Sequence, residues 1–189
     1  NDSIPMETVR AMRKEMQTWK LRMAKAAADN QGRLPPAELA DWDEFQRRRL
    51  RKLESLLDEG HGKCLLRDER HRGIVGAALH HFEGARCEML AFAIMPNHAH
   101  TLCRPLHGHD LENLTGSWKR HSAERINRLT SERGALWQAE SFDRIIRDAA
   151  HYRQAVRYIA KNPSIARLRA DEATVWFCHT ICEANHWEP

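Results

Sequence analysis

A chain of 189 residues is long enough for one domain with a real core plus a helical appendage, and its net charge of +4 permits nucleic-acid binding without demanding it. No apolar run is long enough to span a bilayer and no signal-peptide pattern opens the chain, so a cytoplasmic protein without a membrane partner is expected. The five cysteines, an odd number without a repeated spacing, suit free thiols in a reducing compartment and not a disulfide framework.

Residues 4–28 predict a helix, because Met6, Val9, Met12, Met16, Trp19 and Met23 recur at spacings of three and four. Gly32 breaks it, and Pro35-Pro36 opens a second helix with Leu39, Trp42, Phe45, Leu53, Leu56 and Leu57 on its apolar side. Its other side carries Arg47-Arg48-Arg49 and Arg51-Lys52, read as a solvated face. Gly60 and Gly62 end that region. Asp68 caps a third helix running to about Phe82, buried through Ile74, Val75, Ala78 and Leu79. Residues 86–95 and 99–104 read as antiparallel strands joined at Pro96-Asn97. Asp110 caps a fourth helix to about Leu129. Leu111, Leu114, Trp118, Ile126 and Leu129 are expected to point inward, and Lys119, Arg120, His121, Arg125 and Arg128 outward. Phe142 to Arg147 alternates like a short strand. Asp148 caps a last helix expected to stop at Asn162, because Pro163 follows.

From residue 68 the order is helix, strand, strand, helix, strand, helix. This is an α+β pattern matching a ferredoxin-like antiparallel sheet with helices on one face, lacking only the opening strand. Val175-Trp176-Phe177 is a candidate to fill that gap.

The stretch Met95-Pro96-Asn97-His98-Ala99-His100 carries the chemistry. Side chains alternate along a strand, so His98 and His100 project together while Ala99 faces a core. Two imidazoles on a rigid element make a partial metal site. On the last helix Tyr158 lies beside the buried stripe of Tyr152, Ala155, Val156 and Ile159, and Asn162 sits one turn further on the same side. A divalent metal held by His98, His100 and an oxygen ligand would grip a scissile phosphate as a Lewis acid. A phenol, with an ordinary pKa of ~10, would then be helped to ionise and attack phosphorus, leaving a covalent phosphotyrosine that conserves the energy of the cleaved bond.

These segments, with Ser117-Trp118-Lys119, Arg125-Ile126-Asn127, Leu136-Trp137-Gln138, Phe142-Asp143-Arg144-Ile145-Ile146-Arg147-Asp148 and Val156-Arg157-Tyr158-Ile159-Ala160-Lys161-Asn162-Pro163, resemble the HUH single-tyrosine transposases, in particular the REP-associated tyrosine transposases of bacteria. The likeness runs over roughly residues 60–168, with the motifs in order. It implies His98 and His100 as metal ligands, Asn162 as an amide ligand, Tyr158 as nucleophile, and Mg or Mn as the metal. It implies cutting of single-stranded DNA beside imperfect palindromic hairpins, in a bacterial cytoplasm and in association with the nucleoid, by a monomer or homodimer. The family usually has a strand just before the segment that opens here at Asn1, and its C-terminal tail has no obvious counterpart in 173–189. The resulting division is a helical extension over 1–60 packed on a catalytic domain over 61–170, then a tail over 171–189.

Lys119, Arg120, Arg125, Arg144 and Arg147 are candidate phosphate contacts. Trp137 or Phe142 offers a face for base stacking, and Trp118 reads as core. Cys178, Cys182 and His186, spaced by four, form a competing three-ligand zinc reading. Asp143 and Glu140 suit pairing with nearby arginines. Two other functions stay open: a silent domesticated protein that holds hairpins without cutting, and a metal-dependent nuclease in which water attacks and Tyr158 is structural.

Overall fold

The computed structural model describes residues 4–58, 62–139 and 141–185. They form two compact units, divided between Gly62 and Lys63. The first holds α1 (Met6–Ala28) and α2 (Pro36–Asp58). Gln31 and Gly32, both at positive φ, turn the chain between them. The Trp19 ring stacks on Phe45 at 4.7 Å, and the Arg22 guanidinium lies 4.7 Å over Trp19 while reaching Glu38 at 2.8 Å and Asp41 at 2.7 Å. Arg47, Arg48, Arg51 and Lys52 are exposed, as a solvated face requires.

The second unit contains α3 (Glu69–His80), β1 (Cys87–Ile94), β2 (Ala99–Pro105), α4 (Leu111–Thr130), α5 (Ala149–Ile165), β3 (Thr174–Phe177) and α6 (His179–Asn185). Three aspartates set helix starts through side-chain caps. Asp68 accepts from the Arg70 amide, Asp110 from Asn113 and Asp148 from His151. The α5 helix overruns its expected stop. Pro163 lies inside its last turn, where the missing N–H leaves only one intrahelical bond unmade, and the Ala166 amide still reaches the Asn162 carbonyl at 3.0 Å.

Among the described residues the sheet has the order β2-β1-β3, antiparallel throughout. Val175-Trp176-Phe177 is therefore a strand, but it adds to the edge of β1 and does not lie inside the sheet. Phe142 to Arg147, expected as a strand, runs as irregular chain with Ile145 78% exposed. Alternation alone does not make a strand. Both sides of β1 are taken by β2 and β3, and the segment pairs with neither.

A bulge in β1 decides which residues meet which helices. The register passes from Met89 opposite Cys103 to Ala91 opposite Leu102, leaving Leu90 extra. Cys87 and Met89, then Phe92 and Ile94, join Val75, Leu79, Leu114, Trp118 and Ile126 in a core under α3 and α4. Ala91 and Ala93 turn the other way and pack with Leu102, Val156, Ile159 and Ile181. The helices thus cover both faces of the sheet and not one, because α5 has its own apolar stripe and finds a surface of small alanines on the far side. Burying either stripe in water-free contact contributes about 1.5–3 kcal/mol per large side chain.

One buried cation ties β3 down. Arg72, 3% exposed, donates to the carbonyls of Leu66 (3.1 Å), Arg67 (2.7 Å) and Asp171 (2.6 Å) and to Thr174 Oγ1 (3.0 Å).

Candidate active site

Pro96 and Asn97 form the tight link between β1 and β2, closed by the Met95 amide donating to the His98 carbonyl at 2.8 Å. This link sets His98 at the mouth of β2 and His100 two residues on. His100 pairs in register with Ala93, so its ring lies on the α5 side, while Ala99 pairs with Ile94 and packs with the opposite core.

The imidazoles meet at right angles, with Nε2 to Nε2 at 2.9 Å. His98 Nδ1 lies 2.7 Å from Asn97 Oδ1. An amide oxygen only accepts, so this nitrogen carries the His98 proton and Nε2 carries a lone pair. Burial holds both rings neutral. It pushes His98 down to about 3, with neighbouring His100 adding to the effect, and His100 down to about 4. The 2.9 Å contact is satisfied by a proton on His100 Nε2 or by a cation held between the two nitrogens. Cis ligands at roughly 2.1 Å from one ion stand ~3 Å apart, so the spacing suits either arrangement.

The Tyr158 ring stands edge-on to His100, 5.1 Å between centroids. Asn162, one turn further along α5, is 1% exposed, and its Oδ1 has no hydrogen-bond partner among the described residues. A buried amide oxygen left unsatisfied costs about 1–3 kcal/mol, and this one is free to accept from a donor or to meet a cation. Among the described residues no three His, Cys, Asp or Glu side chains converge. The donors that fit a divalent cation are two imidazole nitrogens and one amide oxygen, a set that leaves positions open for phosphate oxygens. Asn97 escaped the sequence reading, which used it only as a turn. The signal was available: a ligating histidine needs an acceptor for its second nitrogen, and an amide side chain directly preceding it supplies one.

The other candidates divide between the two faces. Arg120 and Arg125 are exposed on α4, which packs on the sheet face opposite α5. Lys119 is half-buried, and its ammonium donates to the carbonyls of Gln138 (2.9 Å) and Ala139 (3.4 Å). Burial lowers its pKa, against the pull of Asp143. Trp137 gives its Nε1–H to Ser122 Oγ at 2.9 Å and packs against the α3–α4 core, and Trp118 is buried there. Arg144 and Arg147 are exposed, flanking Ile146, which packs into the α5-side cluster. Phe142 is half-buried. Asp143 lies near Lys119 and Cys103 and raises the pKa of both. Cys182 is buried beside Cys178, while Glu140 and His186 lie outside the described residues.

Fold and site together define an α+β domain in which a histidine pair and a tyrosine meet on one face of a small antiparallel sheet. A family model described as "Transposase IS200 like" matches residues 66–162, just over half of the chain and inclusive of the histidine pair, Tyr158 and Asn162. The chain belongs to the IS200-like transposase family, whose members act in DNA transposition. No curated protein and no solved structure matches it. No helix among the described residues is long and apolar enough to cross a membrane.

Proposed function

We propose that this chain cuts single-stranded DNA next to palindromic, REP-type hairpins and rejoins it through a covalent phosphotyrosine, with Mg or Mn as cofactor. The observation that carries the reading is the contact of the Tyr158 ring with His100 while His100 Nε2 stands 2.9 Å from His98 Nε2. A phenol and a metal-competent imidazole pair then address one phosphodiester. His98, His100 and Asn162 would hold the metal. When bound, it supplies Lewis-acid polarisation of the phosphoryl oxygens and favours the phenolate.

The Tyr158 oxygen forms a bond to phosphorus as its proton leaves. One P–O bond to the DNA breaks, and the departing strand end takes a proton as a free hydroxyl. A strand hydroxyl attacking the phosphotyrosine reverses the sequence and reseals DNA, so the energy of the diester is conserved. Asn97 fixes the His98 ring for this work, and α5 carries nucleophile and amide oxygen on one side of one rigid element. Arg144 and Arg147, at the entry to α5, are placed to hold strand phosphates, with Arg120 and Arg125 on the far face as contacts for the hairpin. The protein acts as a monomer or homodimer in the bacterial cytoplasm, at the nucleoid.

The test is incubation with a labelled hairpin bearing a single-stranded flank and Mn, followed by denaturing electrophoresis. An adduct that Tyr158→Phe abolishes is expected. Cutting that survives the substitution without an adduct would make this a hydrolytic nuclease. Tight binding with no cutting would make it a silent hairpin binder.

A further inference from the structure

The α4 helix grips the chain that follows it. Ser131, in the left-handed region at φ 57°, ends the helix and turns the chain back along it. Asn127 Nδ2 donates to the Gly134 carbonyl at 2.8 Å, and Ser122 Oγ accepts from Trp137 Nε1 at 2.9 Å. The Lys119 ammonium then donates to the carbonyls of Gln138 (2.9 Å) and Ala139 (3.4 Å). Residue numbers fall along the helix as they rise along the linker, so the two run antiparallel. The lengths agree. From Asn127 back to Lys119 the helix covers about 12 Å, and a near-extended chain from Gly134 to Gln138 covers about 13 Å.

This linker must change sides. Leu136 and Trp137 pack against the core under α3 and α4, whereas Ile146 packs into the cluster under α5. Those cores lie on opposite faces of the sheet, so the chain rounds an edge between Ala139 and Ile146. Asp143 marks which edge, because it lies near Lys119 and near Cys103 of β2, the outer strand. At most about 3.6 Å per residue, the crossing from Ala139 to Ile146 reaches about 25 Å. Two layers packed about 10 Å to either side of the sheet use roughly 20 Å of that. Releasing Lys119 moves the point of departure back to Trp137 and adds about 7 Å of chain.

We propose that Lys119 is a positioning residue for strand cutting: it fixes where the chain leaves α4 to round β2, and so sets where α5 holds Tyr158 beside the histidine pair. The inference rests on the reading of the chain as an enzyme that cuts single-stranded DNA through Tyr158. A nucleophile misplaced by about 1 Å loses up to about 100-fold in rate, so a small excess of slack matters. An ammonium turned onto linker carbonyls and one turned onto a DNA phosphate differ in what their removal does. The first changes the rate on bound DNA, and the second changes affinity and its salt dependence.

The experiment measures single-turnover adduct formation at saturating labelled hairpin with Mn, alongside affinity against salt by fluorescence anisotropy. Lys119→Met is expected to slow the saturated rate about tenfold, with affinity within about twofold of wild type and the log–log salt slope unchanged. Lys119→Arg, which keeps a cationic donor, should stay within about threefold of wild type. Ser122→Ala removes the neighbouring hold on Trp137. Ser122 is 1% exposed and out of reach of DNA, yet its loss should slow the rate about threefold. In DNA-free Lys119→Met, amides 152–156 at the start of α5 should exchange faster while amides 88–94 of β1 keep their wild-type rates. An unchanged saturated rate with weaker binding and a slope smaller by about one would make Lys119 a phosphate contact and overturn the proposal. Wild-type rates in both Lys119→Met and Ser122→Ala would overturn it, as would faster exchange throughout β1, which marks general instability. A wild-type protein that forms no Tyr158 adduct removes the cutting reaction itself, whereas a wild-type adduct formed equally fast by the variants removes the positioning role alone.

Discussion

Replacing Asn162 by leucine should make the metal-free protein more stable and the enzyme inert. Asn162 is 1% exposed and its Oδ1 accepts no hydrogen bond among the described residues, so in the absence of a ligand it contributes about 1–3 kcal/mol of desolvation without return. Leucine keeps the γ-branching and removes that cost. Extra bulk takes part of the gain back, and a net increase of about 1 kcal/mol remains. For a unit of this size that raises the thermal midpoint by about 3–6 °C. The assay is thermal unfolding in EDTA and in millimolar Mn, alongside the adduct gel. Wild-type protein should gain midpoint on adding Mn, by mass action on the folded state. Asn162→Leu should start higher in EDTA, gain little from Mn, and form little or no adduct. A lower midpoint for the variant in EDTA, with an unchanged response to Mn, would show that the amide is an ordinary structural partner and would refute the assignment of its oxygen.

Three further outcomes follow from packing and burial. Ala93→Leu inserts bulk between the sheet and α5 directly opposite His100, so it should destabilise by about 1–3 kcal/mol and reduce adduct formation more than DNA binding, read by denaturant melts and the gel. Arg72→Met leaves the buried Leu66 carbonyl and the part-buried Arg67 and Asp171 carbonyls without their donor and should cost about 3–5 kcal/mol. Hydrogen exchange should quicken first at 174–177, and Trp176 emission should change as its stack on Phe92 at 5.4 Å loosens. The Cys103 thiol is pushed up to about 12 by burial, then by Cys87 and Asp143. It should therefore stay protonated and resist iodoacetamide at pH 8 in the folded protein but react on unfolding, as peptide mass mapping would show.

Local chemistry was legible where it is self-sufficient. A side-chain cap needs only its own helix, and Asp68, Asp110 and Asp148 each take the place their spacing implies. Strand alternation likewise put His98 and His100 together and Ala99 against the core. What stayed hidden depends on partners. Phe142 to Arg147 alternates correctly but finds no ladder, and Pro163 breaks a rule that holds in helix interiors more strictly than in a last turn. The separation of helices onto two faces could not be read from their stripes, because a stripe shows that something covers it and not what. Arg72 looks like any helix arginine until the carbonyls of residues 66, 67 and 171 gather around it.

The uncounted Leu90 works as a phase shifter. Upstream of it the odd residues of β1 point to α3 and α4, and downstream the even ones do, so alanines and not phenylalanine or isoleucine confront α5. The two alanines that face α5 thus sit just past an insertion, several residues from either histidine. Deleting that one residue would join Met89 directly to Ala91, opposite Cys103 and Leu102, so plain alternation would keep Phe92 and Ile94 toward α3 and α4 and the alanines toward α5. A lineage could shed the bulge by a single codon loss while every reactive side chain keeps its face.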